Sequence, residues 1–164
     1  MCIVASIKKG QKKDVNVEFY GNYANYVSNC LRKPIFQRFL KWVMKREKIQ
    51  KGKIRNVQIR MFPTIEENGN FLIGKCNSKG EVFLYPKKIG ACKKKRQRIS
   101  SECLLGYIQG RAMASLIHEL LHLKYGSNEE KVKELTKKYY SIFHSNNDSK
   151  PLDFKKHQAM VFNY

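Results

Sequence analysis

The chain has 164 residues, is 42% hydrophobic, and sets 33 Lys and Arg against 13 Asp and Glu for a net charge of +20. That size and apolar content suit one compact domain and exclude a wholly disordered chain, and no run approaches the ~20 apolar residues that cross a bilayer. The charge surplus predicts a surface that attracts polyanions such as nucleic acid or acidic protein.

The first residues, 1–7, have no basic segment before them and are too short for a secretory leader, so a cytoplasmic location without membrane attachment is expected. Five cysteines, at 2, 30, 76, 92 and 103, form no Cys-x-x-Cys pair and are expected as reduced thiols. Val15, Val17 and Phe19 alternate with polar residues and predict a short strand, followed by a short helix over 22–32 that Pro34 ends. Residues 35–48 place Phe36, Phe39, Leu40 and Val43 on one side and Lys and Arg opposite, which predicts an amphipathic helix.

Three strands are predicted next, at 57–61, 71–76 and 81–85, with Asn77, Ser78, Lys79 and Gly80 as a hairpin turn between the last two. Residues 87–98 read as a solvated basic loop, and Lys93, Lys94, Lys95, Arg96 and Arg98 are the candidate nucleic-acid contacts. A helix over about 102–125 follows a Ser100 and Ser101 cap and stops at Gly126. Ser127 with Glu130 fits a capping box that opens another helix. A breaker at 145–149 precedes a polar tail with an apolar end.

The chemistry lies in His118-Glu119-Leu120-Leu121-His122. Positions i and i+4 share a helix face, so both imidazoles can reach one metal ion, while Glu119 can act on a water beside it as general base. Apolar neighbours on both sides imply burial, and a buried pair of histidines beside a carboxylate needs a reason. The third ligand is expected after the Gly126 turn: Glu129, or alternatively Glu130, with His144, His157 or no protein group as the remaining choices.

The stretch 114–126, followed by a helix with an acidic start, resembles small zinc metallopeptidases of the zincin group, above all the minigluzincins. The resemblance covers about residues 55–145 and implies a hydrolase with one Zn2+, a protein or peptide substrate, and Glu119 as catalytic base. It implies an α+β fold: a small antiparallel or mixed sheet packed on the motif helix and a following glutamate helix. It also implies that the strand before the motif helix, with Val82, Phe83, Leu84 and Tyr85, forms the rim that binds substrate. Residues 1–50 exceed the family pattern and are expected as an N-terminal α/β extension. Residues 51–145 form the catalytic domain, and the tail 146–164 is a candidate cover that makes the enzyme latent. SprT-like peptidases, which share His-Glu-x-x-His and act on DNA-bound proteins, supply the alternative in which the basic surface serves nucleic acid.

Overall fold

A computed structural model describes residues 3–4, 16–66, 68–98 and 100–146. The fold is α+β. In chain order come β1 (Ile3–Val4), α1 (Val17–Arg32), α2 (Pro34–Arg46), β2 (Asn56–Ile59), β3 (Gly74–Cys76), β4 (Glu81–Leu84), α3 (Ile89–Arg96), α4 (Ser101–Tyr125) and α5 (Glu129–Ser145). The sheet is mixed, in the order β1-β2-β4-β3, with β2 parallel to β1 and β4, and β3 antiparallel to β4.

The N-terminal strand expected through Val17 and Phe19 is instead the first turn of α1. Asn16 caps that turn, its side chain accepting from the Phe19 amide at 2.9 Å, and this local bond outweighs a weak alternation. Tyr20, Tyr23, Ala24, Val27 and Leu31 then recur at helical spacing and are buried. Lys33 is extended at φ −52°, ψ 129°, as a residue before proline must be, so α1 ends and Pro34 begins α2.

The hairpin forms where expected, and Asn77 closes it by accepting from the amides of Lys79 and Glu81, both at 3.0 Å. Val57, Ile59, Val82 and Leu84 face inward and pack on α4 and α1. One hydrophobic cluster takes Val27 and Leu31 from α1, Leu40 and Val43 from α2, Leu116 and Leu120 from α4, and Val132 and Tyr139 from α5. Helices α1 and α2 thus contribute to the same core as residues 51–145.

The basic loop expected over 87–98 contains α3. Lys and Arg are good helix formers, and buried Cys92 pins the helix to the core. The capping box predicted at Ser127 is also corrected. Asn128 is the N-cap, accepting from the Lys131 amide at 3.1 Å, and Glu130 is released from any capping role. The tail 147–164, with the proposed cover, lies outside the described residues.

Three helices meet at one carboxylate. Glu47, just past the end of α2, is 7% exposed. It accepts from Lys124 Nζ and Tyr125 OH at the end of α4, each at 2.7 Å, and from Tyr139 OH on α5. Burial pushes its pKa up, but the hydrogen bonds from Lys124, Tyr139 and Tyr125 outweigh this and hold it at about 2. A carboxylate depressed in the folded state stabilises the protein above its unfolded value of 4.5, and that contribution disappears as pH falls toward about 2. Glu47→Gln therefore costs about 1–3 kcal/mol in urea unfolding at neutral pH. The gap to wild type should close as the same measurement is taken down through pH 4.5 to acid; a gap that persists unchanged contradicts this role.

Candidate metal centre

Three donors converge at the C-terminal end of α4. His118 Nε2 and His122 Nε2 lie 3.0 Å apart. Glu129, the first residue of α5, brings Oε1 to 3.5 Å from His118 Nε2 and Oε2 to 3.3 Å from His122 Nε2. A tetrahedral ion bonded at about 2.0–2.1 Å spaces its ligands by about 3.4 Å, and the observed separations bracket that value. His118, His122 and Glu129 form a group that could hold a metal ion.

The surroundings favour the ligating forms of these groups. Burial lowers the His118 pKa against the opposing pull of Glu129, so the imidazole is held neutral with a lone pair to give. The Nδ1 of His122 lies 2.6 Å from the carbonyl of Gly126; with its proton donated there, Nε2 faces Glu129 bare. That carbonyl is available because Gly126 stands at φ 57°, ψ −128°, a conformation that suits glycine and ends α4 sharply. Two imidazole nitrogens 3.0 Å apart with a carboxylate alongside make a cluster that a cation could bridge.

Glu119 lies outside the three-donor group and under the sheet edge. It is 8% exposed, and burial raises its pKa to about 7, with His122 pulling the other way. The Cys76 backbone amide hydrogen-bonds the carboxylate. Gly74 passes so close that an added Cβ would meet Glu119 Oε1 at 2.6 Å, so a side chain there would displace the Glu119 carboxylate. An open cleft of about 1100 Å³ runs between β3, the residues Thr64, Ile65, Asn68 and Leu72, and the facing ends of α4 and α5, and His118, Glu119, His122 and Glu129 line it.

The structure distinguishes among the residues expected from sequence. Glu129 joins the histidines; Glu130 is exposed beside it and outside the group. His144 stacks on Tyr140 near the far end of α5, with ring centroids 4.4 Å apart, and His157 lies outside the described residues. Val82, Phe83 and Leu84 belong to an inner strand paired on both sides, and Tyr85 donates its amide to Ile73, so none of the four offers a free edge to substrate. The rim of the cleft is β3, one hairpin arm earlier than expected. Lys93, Lys94, Arg96 and Arg98 are exposed along and after α3, whereas Lys95 lies over the Tyr107 ring at 3.9 Å. Gly74 and Cys76 were not singled out from sequence, although a lone glycine in a strand is a known sign of close approach.

No protein-family model matches this chain, and neither does any curated protein or solved structure.

Calorimetric titration with a divalent transition-metal ion should give one site per chain. Removing a ligand in His118→Ala, His122→Ala or Glu129→Ala should weaken it more than the about 10–100-fold that loss of an outer contact costs. Glu130→Ala should leave it unchanged. Equal losses for Glu129→Ala and Glu130→Ala would remove Glu129 from the group.

Proposed function

We propose that the chain is a zinc-dependent metallopeptidase, with Glu119 as its general base. The observation that carries this reading is the juxtaposition of a three-donor group with a buried carboxylate on the same helix, both opening into one cleft. Zinc held by two imidazoles and a carboxylate supplies a Lewis acid and an activated water. His118, His122 and Glu129 would hold the ion through Nε2, Nε2 and a carboxylate oxygen. Glu119 would take a proton from the attacking water and return it to the leaving amine. The outer edge of β3 is the surface on which an extended peptide can add as a further strand, with the amide of Cys76 keeping Glu119 under it.

The decisive variant is Glu119→Gln, which keeps the ligands and removes the base. Peptide cleavage should fall by about 10²- to 10⁴-fold while zinc binding is retained. A chelator should abolish wild-type cleavage and added Zn2+ should restore it. Undiminished cleavage by Glu119→Gln would sink the assignment.

A second reading, engagement of nucleic acid, is supported by the exposed Lys93, Lys94, Arg96 and Arg98. Titration with duplex DNA at two salt concentrations tests it. Phosphate contacts predict affinity that falls steeply as salt rises, and salt-independent binding argues against them.

A further inference from the structure

The cleft does not end at the metal group. A pocket lined by Ile73, Ser115, His118 and Glu119 continues it along α4. Ile73 and Ser115 also line a further pocket of about 480 Å³, whose other walls include Lys87, Lys88 and Arg111. Arg111, Ser115 and His118 succeed one another at i, i+4 and i+7, so one face of α4 floors the whole groove.

The charges in the outer pocket are one-sided. Arg111 is 8% exposed, and its Nη1 donates to the carbonyl of Tyr85 at 3.0 Å. Among the described residues no carboxylate pairs with it. A buried guanidinium without a counter-ion is costly, and bidentate binding of a carboxylate is what its geometry suits. The neighbouring cations add to the deficit. Lys87 Nζ donates to Tyr107 OH at 2.6 Å, Lys95 Nζ lies over that ring, and Lys88 Nζ sits 4.1 Å from the Phe71 centroid. The aromatic rings hold the ammonium groups in place without neutralising them.

We propose that Arg111, Lys87 and Lys88 form a subsite for a carboxylate of the bound peptide, so that the groove selects acidic substrates. This rests on the peptidase reading for its substrate class. Arg111 and His118 are separated by about 10 Å along the helix axis, which an extended peptide covers in about three residues. The acidic group therefore lies about two to three residues from the bond at the metal. It comes from an Asp or Glu side chain or from the chain end.

Binding by zinc-loaded Glu119→Gln tests this without any turnover. The probes are short fluorescent peptides ending in amides, with Glu placed at each position in turn, their Gln counterparts, and a Gln peptide with a free C-terminal carboxylate. One Glu register should bind about tenfold tighter than its Gln counterpart. A preference confined to the free chain end would still support the subsite and would assign the carboxylate to the terminus. The preference should be lost on Arg111→Gln. It should be lost equally on Lys88→Glu, which alters an exposed residue and guards against misfolding of the first variant. Lys41→Glu, an exposed α2 position remote from the groove, makes the same charge change and should keep the preference. Equal binding of Glu, Gln and free-carboxylate peptides overturns the subsite, as does equal loss in Lys41→Glu. Displacement of all peptides alike by an oligonucleotide, with no Glu preference, overturns it in favour of a polyanion surface. Selective binding without cleavage by the wild type would refute the peptidase reading and leave the subsite standing. Cleavage of Glu and Gln peptides at one rate would do the reverse.

Discussion

One carboxylate sets the geometry on which the metal group depends. Glu47 receives three donors from two helices, Lys124 and Tyr125 at the end of α4 and Tyr139 inside α5. Lys124 and Tyr125 are the last two residues before the Gly126 turn, and Glu129 follows three residues after it. With α4 and α5 tied below the turn, the short connection can deliver Glu129 to only a narrow range of positions. An ion site tolerates little error, since a shift of a few tenths of an ångström spoils a ligand distance. The Tyr139 bond is buried and the other two are partly so, and hydrogen bonds shielded from water are stronger and more directional than exposed ones.

Three of the 13 acidic residues of this basic chain sit at or beside the metal group. Glu47 ties the helices, Glu129 faces the histidines, and Glu119 is buried under β3, each in a different electrostatic setting. Hydrogen bonds hold Glu47 ionised, while burial favours the protonated form of Glu119. One residue type thus supplies a structural anion, a candidate ligand and a carboxyl able to exchange a proton near neutral pH, and environment makes the difference.

The site was legible in sequence where it is local and obscure where it is not. His118, Glu119 and His122 are fixed relative to one another by helix periodicity alone, and Gly126 announces the turn that brings Glu129 back. The hairpin was legible for the same reason, because Asn77 makes its turn through bonds to its own neighbours. Which arm of the hairpin lies at the edge is a property of the sheet order, and a parallel partner some 25 residues upstream decides it: β2 pairs with β4 and covers it. Val82 and Leu84 are buried because of that pairing, and nothing in their own stretch reveals it. Glu47 carries no local signal in the sequence, because its three partners lie 77, 78 and 92 residues away. At α3 and at the start of α1, composition suggested loop and strand, and Cys92 docking and Asn16 capping prevailed. Asn128 displaced Ser127 as cap by one residue, and that step frees Glu130 and leads α5 with Glu129.

The outer strand β3 has only three residues, Gly74, Lys75 and Cys76, and its middle residue is an exposed lysine. An open strand that can receive a peptide can also receive the same strand of another molecule, which is how sheets grow into aggregates. Three residues offer too short a template for such growth, and each approaching copy carries the same +20 charge. Self-association is therefore opposed at an edge that no other described strand covers. Molecules of this protein should stay dispersed at concentrations where a longer, neutral edge would seed a precipitate.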